Sequence, residues 1–563
     1  MTVKILPAII GLTGIVTTSA QAGMPQQKSN DPHYNILWLS CEDINPGLGC
    51  YGATGVKTPN LDKLATEGIR YTHAYSTVGV CAPSRSSIIT GMYPVSIGTQ
   101  NMRTGPHWAY RPAEKETYET YWGVRDIRGR NVPQYAAVLP EEVKCFPEYL
   151  RAAGYFCTNN AKTDYQFNAP ITAWDECNHK AHWRNRPDGM PFFSVFNFEV
   201  THESRIWMKK NDPMLADTAA VRIPAYYPDI PVVRKDVSRN YSNIMELDQQ
   251  IGAFLDSLKK EGLLDKTIIV FWSDHGGPLL RQKRDVGNAG LHVPLIIRFP
   301  DKRMAGTVDD RLVSLMDLGP TMLSLAGIEP PAYMQGKSFL GKYAVEKPHE
   351  YIFGSADRFD EAVDMRRSAI DGRFVYIRNF YPELPLIFRN QYREQIDMTH
   401  DLIEMNRLGE LHGDAAYIWM QTKPAEELYD LSTDPDEVHN LAGNSEYAAK
   451  LKELRKALSH WQLEVGDKGF IPERDLVEMM WPGGIQPNTK LVSFHMENNN
   501  QLVLSSETPG ASIAYQVGDS IGKQHWSLYH GPVKMKSGES IRAVSIRIGY
   551  RQSEKTTFMM SEK

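Results

Sequence analysis

The stretch Thr77-Val78-Gly79-Val80-Cys81-Ala82-Pro83-Ser84-Arg85-Ser86-Ser87-Ile88-Ile89-Thr90-Gly91 frames the rest of the chain. Its centre puts a cysteine just before a helix start. Pro83 suits the first helical turn, where its missing N–H would be an orphan anyway. Ser84 to Thr90 then reads as a short helix that Gly91 can end in the left-handed conformation. A cysteine there faces unpaired backbone N–H groups and the positive end of the helix dipole. Arg85 adds a permanent positive charge about one turn away. The place suits an anion. A lone cysteine is more often a buried structural residue, so the reading depends on what surrounds this one.

Apolar runs of strand length surround it, each leading into chemistry-bearing residues. Asn35 to Ser40 fits a buried parallel strand and runs into Cys41-Glu42-Asp43. Thr267 to Trp272 is the clearest central strand and runs into Ser273-Asp274-His275-Gly276-Gly277. Phe192 to Phe198 leads to His202, and Tyr155 to Thr158 leads to Lys162 and Asp164. Ligands of open α/β sheets bind outside the carboxyl ends of the strands. Two adjacent acids there repel one another unless a cation lies between them. Taken singly, Glu42 and Asp43 read as exposed loop acids, and His202 as a packed or surface histidine. Lys283 and Arg284 precede a further strand within Gly290 to Arg298. Arg103 and His107, after Tyr93-Pro94, fall where the chain returns to the pocket mouth, and read equally well as ordinary surface residues. Ser238 to Lys260 is an amphipathic covering helix.

In this order the motifs resemble the type I sulfatases of the alkaline phosphatase superfamily, over roughly residues 34–465. The Gly-rich loop Gly47 to Gly52 and the capped helix Thr58 to Ala65 match that family's N-terminal block. The resemblance implies that a separate formylglycine-generating enzyme oxidises Cys81 to Cα-formylglycine, whose hydrate is the nucleophile, held by Arg85. It implies metal ligands at Glu42, Asp43, Asp274 and His275, together with the converted Cys81. The family's usual pair is Asp-Asp, so Cys41-Glu42 is the alternative register, and His275 is either a ligand or the partner of one. A ligand set dominated by carboxylates favours Ca²⁺ or Mg²⁺ over Zn²⁺; the resemblance selects Ca²⁺. It further places Lys162 and Lys283 on the sulfate, with Arg284 competing for the second position, and His202 on the departing oxygen. Asp164 stands where the family has a histidine. It can accept a hydrogen bond from the hydrated aldehyde but cannot be a cationic sulfate ligand. Arg103 and His107 would contact a sulfated sugar, as would the Arg- and Tyr-rich stretch Phe380 to Arg393 overhanging the pocket. The implied activity is hydrolysis of sulfate esters on a sulfated saccharide. Sulfamate cleavage, phosphate or phosphonate ester hydrolysis, and a non-catalytic glycan-binding form are the alternatives.

The 563 residues suffice for a large domain plus smaller modules. A net charge of −5 without a long basic run argues against nucleic-acid binding. Lys4, the apolar run Ile5 to Val16 and the small residues before Ala22 read as an export signal over residues 1–22, implying a periplasmic or secreted protein. No later run is long and apolar enough for membrane insertion. Six cysteines are too few for a disulfide scaffold at this size. The expected architecture is an α/β domain over 23–345, a mixed alkaline-phosphatase-like sheet sandwiched by helices. A smaller α+β subdomain follows over 346–480. The strand-like segment 481–563 resembles a chitobiase-type C-terminal β domain.

Overall fold

The computed structural model of the chain describes residues 34–102, 124–522 and 525–561. Residues 1–22, Arg103 and His107 lie outside the described residues. Eight strands form the main sheet: β1 (Asn35–Cys41), β2 (Ile69–Tyr75), β3 (Phe156–Asn160), β4 (Glu176–Cys177), β5 (Phe192–Phe198), β6 (Thr267–Ser273), β7 (His292–Arg298) and β8 (Thr307–Ser314). Their order is β4-β3-β5-β1-β6-β7-β2-β8. Every neighbouring pair is parallel except those of β7, which runs against both β6 and β2.

The central strands read as unbroken apolar runs because both faces of the sheet are covered. Alternate residues of β1 enter different cores. Ile36 and Trp38 join Ile88 and Ile89 of α2 (Cys81–Thr90) and Leu318 and Met322 of α4 (Leu318–Leu325). Leu37 and Leu39 join Leu61 and Leu64 of α1 (Pro59–Thr66) and Ile244, Leu247 and Ile251 of α3 (Pro231–Lys260). The sheet is thus sandwiched by helices. Trp38 anchors the first core edge-on to Phe193 and Trp272, with ring centroids 5.1 and 5.3 Å away. Trp38→Ala is expected to lower stability by about 3–5 kcal/mol. Urea unfolding checks this; a loss below about 1.5 kcal/mol would mean that the core closes over the gap.

Several elements differ from their sequence-based bounds. The helix read as Ser84 to Thr90 begins at Cys81, because Val80 is the extended residue before it and Pro83 lies within its first turn. The covering helix begins at Pro231 rather than Ser238, again with proline at the first helical turn. The segment Val313 to Ile328 is divided between a strand end and a helix. Val313 and Ser314 end β8, the Asp317 carboxylate accepts the Ser314 N–H at 2.9 Å, and α4 follows.

Beyond the main sheet, β9 (Ile352–Ala356), β10 (Arg366–Ile370), β11 (Phe374–Asn379) and β12 (Glu426–Asp430) form an antiparallel sheet ordered β12-β11-β10-β9. Leu451, Leu454, Leu458 and Trp461 of α5 (Ala448–Val465) cover it. Residues 492–559 build a three-stranded and a four-stranded sheet around one core containing Leu502, Leu504, Ile513 and Ile541. This β unit docks on the main domain: Arg151 donates to the Trp526 carbonyl and the Ser512 hydroxyl donates to Glu148, both at 2.6 Å. All six cysteines are free thiols. No helix of the described residues is long and apolar enough to cross a membrane.

Candidate active site

Strand register places the chemistry. Cys41, the last residue of β1, pairs with Phe198 at the end of β5 and with Ser273 at the end of β6. Three chains therefore leave the sheet at one level, carrying Glu42-Asp43, His202-Glu203 and Asp274-His275. The first turn of α2 meets them there. Gly79 allows that meeting: its carbonyl accepts the Arg284 N–H at 2.6 Å, and a Cβ at position 79 would collide with the Asp285 carbonyl. The loop before Cys81 and the loop carrying Lys283 cross at this glycine.

Cys81 is 1% exposed, and its Sγ lies 3.4 Å from His275 Nε2. The same Nε2 is 3.1 Å from Asp43 Oδ1 and 3.7 Å from Asp274 Oδ1, while Nδ1 faces the Gly276 carbonyl at 3.0 Å. Burial opposes protonation of His275, but Asp274, Asp43 and Cys81 outweigh it and push the ring up to about 10. Arg85 donates from Nε to Asp274 at 3.0 Å and from Nη1 to Asn197 at 2.9 Å, with Glu42 3.8 Å from Nη2. The Ser84 hydroxyl donates to the Asp274 carbonyl at 2.5 Å.

Glu42 and Asp43 divide the remaining cations. Lys162 Nζ is 2.7 Å from Glu42 and 3.8 Å from Asp164. Lys283 Nζ donates to Asp43 at 2.6 Å and lies 3.1 Å from Glu203. Burial raises the Glu42 carboxyl against the pull of Lys162 and Arg85. For Asp43 burial acts the same way, but Lys283, His202 and His275 prevail and hold it well below the usual carboxylate range. His202 faces Glu42 at 3.7 Å through Nε2, and its Nδ1 lies 2.9 Å from the Ser204 hydroxyl. Burial, then Lys283, keep His202 well below the ordinary histidine range, Asp43 opposing.

The structure thus gathers Glu42, Asp43, Cys81, Arg85, Lys162, Asp164, His202, Asp274, His275 and Lys283. Arg284 is adjacent but occupied: it forks onto Glu203 at 2.9 and 3.0 Å and donates to Asp360 at 2.7 Å. Two contributors were not read from the sequence: Asn197 holds Arg85, and Glu203 holds Lys283 and Arg284. A polar Asn inside the apolar Phe192–Phe198 run was the available signal for the first. Tyr392, within the overhanging stretch Phe380 to Arg393, lies edge-on to the His202 ring at 6.2 Å.

The cluster fits a hard divalent cation. Ligand atoms of Asp43, Cys81, Asp274 and His275 lie within 4.8 Å of one another, as do those of Glu42, Asp43 and His202. Glu42 and Asp43 are fully buried, and Glu42 Oε2 has no hydrogen bond among the described residues. Buried acceptors left this way are costly, and oxygen-rich donors match Ca²⁺ or Mg²⁺.

Comparison with known proteins agrees with this geometry. Residues 34–174 and 181–328 match the family described as Sulfatase, and residues 278–408 match the one described as N-sulphoglucosamine sulphohydrolase, C-terminal. The chain is 41% identical to an ulvan-active sulfatase of Formosa agariphila, covering 92% of this chain and 90% of that one. It is 25% identical to the human N-sulphoglucosamine sulphohydrolase, covering 77% and 90%. Among solved structures, one in complex with its substrate D-glucosamine-2-N,6-O-disulfate superposes with TM-score 0.54 at 19% identity, covering 78% of this chain and 99% of that one. The phosphonate monoester hydrolase of Agrobacterium radiobacter also gives 0.54, at 17% identity, covering 77% and 96%. At these identities the structural likenesses speak for the fold alone.

Proposed function

The chain belongs to the sulfatase family, and on that premise we propose that it is an exported enzyme removing sulfate esters from a sulfated carbohydrate. The observation that carries this reading is the single buried cluster joining Cys81 and Arg85 to the acids Asp43 and Asp274 and the lysines Lys162 and Lys283. The 41% identity to an ulvan-active sulfatase supports a polymeric sulfated sugar, or its oligosaccharides, as the substrate class.

Conversion of Cys81 to Cα-formylglycine supplies the oxygen nucleophile in this reading. A divalent cation held by Asp43, Asp274 and His275, with Glu42 alongside, supplies Lewis-acid polarisation; the family resemblance favours Ca²⁺. The chain's own residues do the rest. Arg85, fixed by Asp274 and Asn197, orients the group at position 81. Lys162 and Lys283 approach from opposite carboxylates and offset charge on the sulfate as the S–O bond breaks. Lysine charge is also what helps keep His202 unprotonated. The negative charge of a sulfate bound between the lysines favours the protonated ring, so His202 takes a proton from solvent and passes it to the departing sugar oxygen. Asp164, beside Lys162, accepts a hydrogen bond from the nucleophile.

Ion-chromatographic detection of sulfate from a panel of sulfated oligosaccharides tests this reading. Lys162→Ala is expected to lower kcat/KM by roughly 10²–10³-fold, and a loss under about threefold would remove Lys162 from the sulfate site. A second reading, sulfamate cleavage, is supported by the match of residues 278–408 to the sulphohydrolase C-terminal family. An N-sulfated glucosamine in the panel separates the two.

A further inference from the structure

A cavity of about 40 Å³ lies beside the catalytic cluster, walled by the 281–285 loop, the ends of β9 and β10 and the 386–393 segment. By this measure one water needs about 10–15 Å³, so the space suits a three- or four-oxygen head group rather than a sugar ring. Arg281, Lys283, Arg284, Arg366 and Arg393 line it. All but one have carboxylate partners inside the fold. Arg281 and Arg366 reach Asp285 at 3.1 and 3.4 Å, Lys283 holds Asp43, and Arg284 holds Glu203 and Asp360. The acids of the wall are likewise engaged, Asp285 as described, Asp357 by Arg367 and Asp364 by Lys423.

Arg393 is the exception. It is 5% exposed, and its guanidinium makes one hydrogen bond among the described residues, from Nη2 to the Phe388 carbonyl at 2.6 Å. Its Nε is buried without a partner, and it forms no ion pair among the described residues. Burial and the neighbouring Arg284 charge draw its pKa down to about 10. A guanidinium stored this way is poised for an anion, because burying a charge is unfavourable until it is paired. The cavity also borders the chemistry. Lys283 belongs to both, and Tyr392, the residue before Arg393, packs on the His202 ring.

We propose that this cavity is a second oxyanion subsite, which takes a carboxylate or sulfate group on the sugar adjoining the one that loses its sulfate, with Arg393 as principal ligand. The proposal rests on the carbohydrate reading above. It makes the enzyme selective for substrates bearing two acidic groups on neighbouring sugars.

The test compares three sulfated disaccharides whose neighbouring sugar carries a carboxylate, a sulfate, or the carboxylate reduced to an alcohol. The parent is expected to favour one of the acidic substrates over the reduced one by about tenfold or more in kcat/KM, mainly through KM. Which acidic substrate it favours names the head group. Arg393→Gln should erase that preference by weakening the acidic substrate, and Arg393→Lys should recover part of it. No preference in the parent, or an equal loss on all three substrates in Arg393→Gln, overturns the subsite. Sulfate release from none of them would overturn the carbohydrate reading instead. Calorimetric titration with the disaccharide that carries the favoured acidic group on the neighbouring sugar but lacks the scissile sulfate then reads the subsite alone. Binding about tenfold weaker in Arg393→Gln supports it, and equal binding refutes it.

Discussion

Cys81→Ala is expected to reduce sulfate release by at least about 10³-fold while the protein stays folded. Cys81 is the first residue of α2, and its thiol's hydrogen-bond partner among the described residues is His275 Nε2. Removing one small buried sulfur is a minor packing change, about 1 kcal/mol in order of magnitude. The nucleophile, by contrast, has no substitute. Among the described residues the neighbouring Ser84 hydroxyl donates to the Asp274 carbonyl and the buried Cys41 thiol to the Trp272 carbonyl. The comparison requires a host that converts position 81 in the parent. A variant keeping more than about a tenth of parental sulfate release would show that another group attacks the ester.

The second large effect concerns the cation. Stripping the parent with a chelator should lower both its melting temperature and its sulfate release, and added Ca²⁺ should restore both. Any ligand bound only by the folded state stabilises it, by about 2.7 kcal/mol at a hundredfold excess over its dissociation constant. Asp274→Ala should abolish that response. It should also destabilise the fold in its own right, because Arg85 loses the carboxylate 3.0 Å from its Nε and keeps only Asn197 and a distant Glu42. Removing one partner of a buried ion pair costs about 3–5 kcal/mol. Melting curves with chelator, with Ca²⁺ and with both separate these contributions. A parent whose melting temperature and activity ignore the chelator would contradict a cation held by these carboxylates.

The residues that carry the site could be read before the fold because their strands are buried on both faces. β1, β5 and β6 show as apolar runs, and their ends deliver Glu42-Asp43, His202 and Asp274-His275 together. β2 and β8 escaped notice. Ile69–Tyr75 and Thr307–Ser314 carry Arg, Thr, His and Asp at half-exposed or exposed positions, so these two strands at one edge of the sheet lack an apolar signature. Linear order also hides electrostatic partners. Glu203 follows His202 directly, yet its function comes from Lys283 and Arg284 some eighty residues later. Arg284 read as a competing sulfate ligand; in the fold its guanidinium forks onto Glu203 and donates from Nε to Asp360, partners distant in sequence.

The most direct measurement is product analysis by the converted enzyme, with mass spectrometry confirming the change at position 81. Equal amounts of sulfated oligosaccharides and of phosphate and phosphonate monoesters are offered, and free sulfate and phosphorus products are counted. A sulfatase releases inorganic sulfate from the saccharides at a rate far above its turnover of any phosphorus ester. Turnover of the phosphorus esters with no sulfate released, by an enzyme whose residue 81 is converted, would contradict the sulfatase reading.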